Sequence, residues 1–308
     1  MNKVFEIVNE RIIDRIKTGN FKDFSGIYTA ILTEGPCNYE TGRPYSWLNA
    51  LLLLNTGKTP EFITYNGIKR LAEKYPEKDI HLNKGSHGYI VSIFTPWGSR
   101  TKKTDTKDLP DGNVKLDEDE KKPSWYFSYY RVFSIDDVTG LEPKWHKTEK
   151  RPEKTDEDCE NLFQNYIRNE GIALSRINYG HCCYWPDLDK INLFADSGFK
   201  TADRKYKAAF HEMAHSTGHS KRLNRKLAGR SYGNEKDYSK EELTADLAAA
   251  YLMAEYRRGG LSQETEEETA FYLDNWLSVF QKDTKMLVYA MAAAEKAVAY
   301  IKEHAGTE

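Results

Sequence analysis

No apolar run in this chain approaches the ~18 residues that a membrane span needs. The N-terminus, MNKVFEIVNERIIDRI, interleaves charges with Ile and Val and so lacks the apolar core of a secretory signal. Cysteine is scarce, four in 308 residues, with Cys182 and Cys183 adjacent and Cys37 and Cys159 isolated. That usage excludes a secreted disulfide framework. Neither charge sign dominates either: 45 Lys and Arg against 47 Asp and Glu give a net charge of −2. Whole-chain charge therefore points to no polyanionic partner. No internal repeat is present. These absences predict a cytoplasmic chain without a membrane partner, and the length allows roughly two domains. Hydrophobic residues at 39%, with 13% aromatic, suffice for real cores.

The pattern divides in two. In the first half, the spacing predicts a helix from Val4 to Lys17, with Gly19 ending it, and a buried helix within GRPYSWLNALLLL (42–54). FITYNGIKRLAEKY (62–75) reads as an amphipathic helix. GYIVSIFTPW (88–97) and WYFSYYRVFSI (125–135) read as paired strands. Between them, residues 100–123 are charged and poor in large apolar groups, the composition of a disordered insert. A second charged run, residues 147–158, reads as a linker. Beyond it come the helix ENLFQNYIRNEGI and the strands ALSRINY and KINLF, joined through WPDLDK. Four helices follow, over 204–217, 240–256, 265–281 and 285–302. The expected architecture is α+β: an N-terminal domain over 1–146, then a mostly helical domain with a small sheet over 159–308.

The chemistry is concentrated in AAFHEMAHSTGHSKRL (208–223). Residues four apart stack on one helix face, so His211 and His215 point the same way and can reach one ion at ~2.0–2.1 Å. Glu212 lies one step round, placed to take a proton from an attacking water and not to bind the ion. This is the HExxH arrangement of a zinc peptidase, and Zn²⁺ is the expected cofactor. The alternative is a structural pair of histidines.

A third protein ligand is needed. Lys221 stands where HExxHxxGxxH would place a third His. His219 continues the four-residue steps, but three such positions on a straight helix span ~12 Å, so it can ligate only if the chain turns at Gly218. Acidic candidates lie in YGNEKDYSKEELTADLAAAYL: Glu235, Glu241, Glu242 and Asp246. Glu242 and Asp246 share a helix face, so that Glu242 can bind the metal while Asp246 orients a ligand imidazole. Glu235 is the rival ligand. Ser239 with Glu242 also reads as a capping box, in which Glu242 would only satisfy a backbone N–H. His181, Cys182 and Cys183 lack a second pair at ligand spacing and read as buried thiols beside a strand.

Taken together, these segments resemble the ArdC-like antirestriction family of plasmids and phages. In the first half the resemblance rests on TGRPYSWLNALLL, FITYNGIKRLA, LNKGSHGYIVSIF and YYRVFSIDDVTGLE. In the second it rests on YWPDLDKINLF, FHEMAHSTGHSKRLNR and YSKEELTADLAAAYL. The resemblance implies an N-terminal single-stranded-DNA-binding domain joined to a zincin-like metallopeptidase domain. It gives His211, Glu212 and His215 the HExxH roles and puts the helix carrying EELTAD in place of the acidic third-ligand helix. Asp246 stands there where Glu is frequent, and the insert at 100–123 is left unexplained.

Charge alone makes a weak case for nucleic acid, since residues 1–100 hold thirteen Lys and Arg against ten Asp and Glu. What fits single strands is the interleaving of Arg43, Tyr45 and Trp47, and of Lys84, His87 and Tyr89, where a cation can hold a phosphate while a ring stacks a base. The same aromatics could fill the core. The leading expectation is a protein that coats single-stranded DNA and carries a zinc peptidase acting on an unknown protein substrate. Two alternatives remain at this point: a DNA-protecting module with a structural or vestigial zinc, and a general cytosolic metallopeptidase without DNA function.

Overall fold

The computed structural model describes residues 3–19, 21, 24–96, 114–116, 125–145, 154–225, 235–256 and 276–306. The chain forms two compact units. The first comprises Met1–Asn20 and Thr33–Glu149, and the second Phe21–Leu32 and Lys150–Glu308. Residues 21–32, which the sequence reading places with the N-terminal half, thus group with the C-terminal unit.

The first unit opens with α1 (Lys3–Thr18), whose Phe5, Val8, Ile12 and Ile16 are buried. After α2 (Phe24–Glu34), a member of the second unit, come β1 (Cys37–Asn38), α3 (Trp47–Leu53), β2 (Glu61–Thr64), α4 (Tyr65–Lys74) and β3 (His81–Leu82). The unit ends with β4 (Tyr89–Pro96), β5 (Val114–Leu116), β6 (Trp125–Ser134) and β7 (Val138–Thr139). Its five-stranded sheet runs β1-β2-β6-β4, with β5 also paired to β6. The expected pairing of 88–97 with 125–135 is present, antiparallel, with Val91 opposite Tyr130.

Two sequence readings need correction here. FITYNGIKRLAEKY is not helical throughout. Its first residues form β2, and Thr64 ends the strand and caps α4 by accepting from the Gly67 N–H at 3.0 Å. Alternation explains this, because successive strand residues face opposite ways. Phe62 packs with Leu53, Val91 and Val132, while Ile63 packs with Ile68, Ile80 and Ile135 in a second cluster. Within the insert, Val114–Leu116 adds a strand to β6 against the expectation of disorder, and the remaining residues of 100–123 lie outside those described.

In the second unit, α5 (Asp156–Glu170) starts at a Thr155–Asp158 capping box and stops at Gly171, whose φ of +67° suits a residue without a side chain. A three-stranded sheet follows, β8 (Ala173–Ile177), β9 (Cys183–Trp185) and β10 (Lys190–Phe194), in the order β8-β10-β9. The strands ALSRI and KINLF are parallel, and the turn WPDLDK joins β10 to the short β9, which the sequence reading missed. Then come α6 (Ala202–Thr217), α7 (Glu235–Tyr256), α8, described over 276–282, and α9 (Met286–Ala305). Residues 265–275 of the helix expected over 265–281 lie outside the described residues. Arg222, 1% exposed, ties this unit together by donating to Glu170 at 2.7 Å, to Asp189 at 2.8 and 3.0 Å, and to the Ser216 carbonyl. No described helix is long and apolar enough to cross a membrane.

Candidate metal centre

Helix α6 begins at Thr201, which accepts from the Arg204 N–H, and carries His211, Glu212 and His215 in its last two turns. The Nε2 atoms of His211 and His215 lie 3.0 Å apart. Glu242, from α7, brings its two carboxylate oxygens to 3.5 Å from His211 Nε2 and 3.6 Å from His215 Nε2. One ligand atom from each of the three falls within a 4.8 Å cluster. Three donors at ~2.0–2.1 Å from one ion in tetrahedral array would stand ~3.4 Å apart. The observed separations match that, so the donor set fits a divalent ion.

The orientation of the imidazoles is fixed from behind. Asp246 Oδ1 lies 3.0 Å from His211 Nδ1, and Glu241 Oε1 lies 3.2 Å from His215 Nδ1. A carboxylate on the far nitrogen sets the tautomer and aims the other nitrogen at the ion. Helix α7 packs against α6, and its Ala245, Leu247, Ala248 and Ala249 are all essentially buried. Helix α7 starts at Glu235, which places Ser239 inside the helix; the capping-box reading of Glu242 fails for that reason. The side chain of Glu235 lies outside the described residues.

Sequence reasoning missed the roles of Glu241 and Arg225. After Thr217 the chain turns at Gly218, and Arg225 returns beneath the end of α6. There it donates to the Ala214 carbonyl at 2.8 Å and to Glu241 at 2.7 and 3.0 Å. One guanidinium thus satisfies a helix-end carbonyl and holds the carboxylate that holds His215. The signal available in sequence was the Glu241–Glu242 doublet, since neighbours ~100° apart on a helix can serve two different histidines. His219 does not join the cluster; its Nδ1 accepts the Lys221 N–H within the turn.

Charge and burial oppose each other throughout the centre. Burial disfavours protonated imidazoles, yet their carboxylate partners outweigh it and raise both His211 and His215. Glu242 shows the converse, its burial outweighed by the two imidazoles so that its carboxyl is lowered. Glu212 is 6% exposed, and burial raises its carboxyl against the pull of both histidines and of the Tyr184 backbone N–H from β9. Beside it opens a cleft of about 520 Å³, with His211 and Glu212 in its wall along with Phe199, Lys200, Arg204 and Lys207. Cys182 borders the same cleft, whereas Cys183 accepts from Trp185 Nε1 at 2.7 Å; both thiols are only partly buried, not buried as expected.

The residues expected at a DNA surface separate. Arg43 and Lys84 are exposed. Trp47 is buried in α3, and Tyr45 packs edge-on against Phe62 at 6.5 Å. In this structure neither ring is placed to stack a base.

Comparison with known proteins agrees with this geometry. Residues 2–133 match the model of the N-terminal domain of anti-restriction factor ArdC, and residues 161–295 match the zincin-like metallopeptidase model. Among curated proteins, a DNA primase TraC of Escherichia coli is 28% identical over 94% of this chain, and a second TraC is 27% identical over 96%. The chain spans only 26% and 20% of the lengths of those two primases. The uncharacterised protein y4eC of Sinorhizobium fredii is 26% identical over 95% of this chain and 89% of its own. Crystal structures of the antirestriction ArdC protein from the R388 plasmid, Mn(II)-bound and metal-free, share the fold. Their TM-scores are 0.62 and 0.60, at 23% and 22% identity, each over 98% of both chains. The chain therefore carries an ArdC-type N-terminal domain followed by a zincin-like metallopeptidase domain.

Proposed function

We propose that this chain is an antirestriction-type protein that binds single-stranded DNA and hydrolyses peptide bonds in a protein substrate, with Zn²⁺ held by His211, His215 and Glu242. The observation that carries the hydrolytic reading is the convergence of those three donors beside a cleft that Glu212 also lines. A closed structural zinc has four protein ligands. Here three converge among the described residues, and the wall of the site is open to a cleft. The Mn(II) bound by the R388 protein supports a divalent ion, and the His₂Glu donor set favours zinc.

Bound there, the ion would supply Lewis acidity toward the scissile carbonyl. Glu212 takes the proton of the attacking water on its carboxylate and passes it to the leaving nitrogen. Its burial makes that carboxylate a stronger base than a solvated one. Asp246 and Glu241 keep the imidazoles aimed, and the Tyr184 N–H holds Glu212 against β9. The match of residues 2–133 to the ArdC N-terminal domain supports DNA binding, and exposed Arg43 and Lys84 offer phosphate contacts.

The test is to incubate wild type and Glu212→Gln with single-stranded DNA and a host-cell lysate and to map new protein termini. Termini that appear with wild type and not with Glu212→Gln support the reading; identical sets with both refute the peptidase.

A further inference from the structure

The first unit fixes one tryptophan at its surface. Trp145 is 48% exposed, among the most exposed large apolar side chains described. Side chains that exposed usually sample several rotamers, but this one is held at three points. Its backbone N–H and that of Lys144 both donate to the carboxylate of Glu61, at 2.8 and 3.0 Å. Its indole N–H donates to the Tyr39 carbonyl at 2.8 Å. Glu61 is fully buried, so the fold places a carboxylate inside the protein to hold the backbone of two exposed residues.

The ring has a prepared seat. Gly42 adopts φ +68°, and a Cβ there would lie 2.9 Å from two indole carbons and 3.0 Å from a third. Three near-equal distances mean that one face of the ring lies flat on the glycine, and the exposure belongs to the rest. Cations adjoin the ring and its seat in sequence. Lys144 is exposed with its Nζ held 3.8 Å above the Tyr39 ring, and exposed Arg43 follows directly on Gly42. Glu40, close by in sequence, is bound by Arg70 at 2.9 Å.

A held, half-open indole with an exposed lysine and an exposed arginine adjoining it and its seat in sequence suits a chain that alternates flat rings with phosphates. We propose that Trp145, seated on Gly42 and acting with Lys144 and Arg43, is a stacking platform for a base of single-stranded DNA. This rests on the single-strand-binding reading above and assigns it a residue that the sequence motif did not, since Trp47 is in the core. Ordering the ring before binding lowers the entropy cost of stacking. The lysine and arginine supply the salt-dependent part of the affinity.

The test uses the full chain and a fluorescein-labelled 20-nucleotide oligo-dT, with anisotropy read over a range of salt. Trp145→Leu keeps an apolar side chain but has no π-face, whereas Trp145→Tyr keeps a ring; both lose the indole N–H. Stacking is sequence-tolerant and strong enough that Trp145→Leu should bind roughly 5- to 100-fold more weakly, with Trp145→Tyr recovering most of the loss. The salt slope should be unchanged in both, and Lys144→Ala should reduce it by about one. Equal affinity of Trp145→Leu, Trp145→Tyr and wild type overturns the platform and leaves single-strand binding intact. An equal loss in both variants also overturns it, because the lost N–H and not the ring would be responsible. No binding by wild type overturns the platform and the DNA reading together.

Discussion

Glu241→Gln tests the least obvious part of the metal centre. Glu241 is not among the three ligand residues; it reaches His215 Nδ1 at 3.2 Å and is itself held by Arg225. Burial would raise its carboxyl, but the bonds from His215 and Arg225 prevail and keep it below the usual range. Replacing such an outer carboxylate lowers metal affinity by ~10–100-fold, which is ~1.4–2.8 kcal/mol at ~1.4 kcal/mol per decade. At 9% side-chain exposure, solvent screens little of this. A glutamine can still accept from the imidazole N–H, so the lower half of that range is expected. Arg225 would lose its charged partner but keep the Ala214 carbonyl and Thr217 Oγ1. The stability loss should therefore fall below the ~3–5 kcal/mol of a fully orphaned buried charge, near ~1–3 kcal/mol. Competition with a chromophoric chelator gives the first number, and thermal melts of metal-free protein give the second. Unchanged metal affinity together with lowered stability would refute the orienting role and leave only a structural ion pair.

Asp246→Asn should lower metal affinity by a similar ~10–100-fold, measured by the same competition, and combined with Glu241→Gln it should leave both histidines unoriented. Burial raises the Asp189 carboxyl, but Arg222 and Tyr184 outweigh it and hold it below its usual value. A folded pKa below the unfolded ~3.9 means the stabilisation is complete above that pH and is lost as pH falls through the folded value. Melting temperature should drop below about pH 4 in wild type and drop less in Asp189→Asn, as calorimetry across pH will show. Binding of the full chain to single-stranded DNA should weaken as salt rises, and titrations at two salt concentrations that agree would contradict phosphate contacts.

The parts legible in sequence were those carried by short-range periodicity. His211 and His215 sit four apart on one helix, and Glu242 and Asp246 repeat that spacing on another, so a face could be read from each. The strands over 89–96 and 125–134 showed themselves by β-branched and aromatic runs. What stayed hidden depends on contacts between distant residues. Arg225 reaches Glu241 only because the chain folds back after Gly218, and no fixed spacing encodes that. β2 was concealed because Phe62 and Ile63 are both apolar, serving clusters on opposite faces, and adjacent apolar residues mimic a helix stripe. Trp47 was misleading for a related reason. A tryptophan beside an arginine has the same sequence signature whether it stacks a base or fills a core, and only its burial separates the two.

Metal content measured across four purified proteins tests the central claim most directly. Wild type should hold about one divalent ion per chain, and Glu212→Gln should retain it because that carboxylate is a base and not a ligand. Glu242→Ala should lose the ion nearly as completely as a variant carrying both His211→Ala and His215→Ala. Full occupancy in the double histidine variant would contradict the site itself, and full occupancy in Glu242→Ala would remove its third ligand.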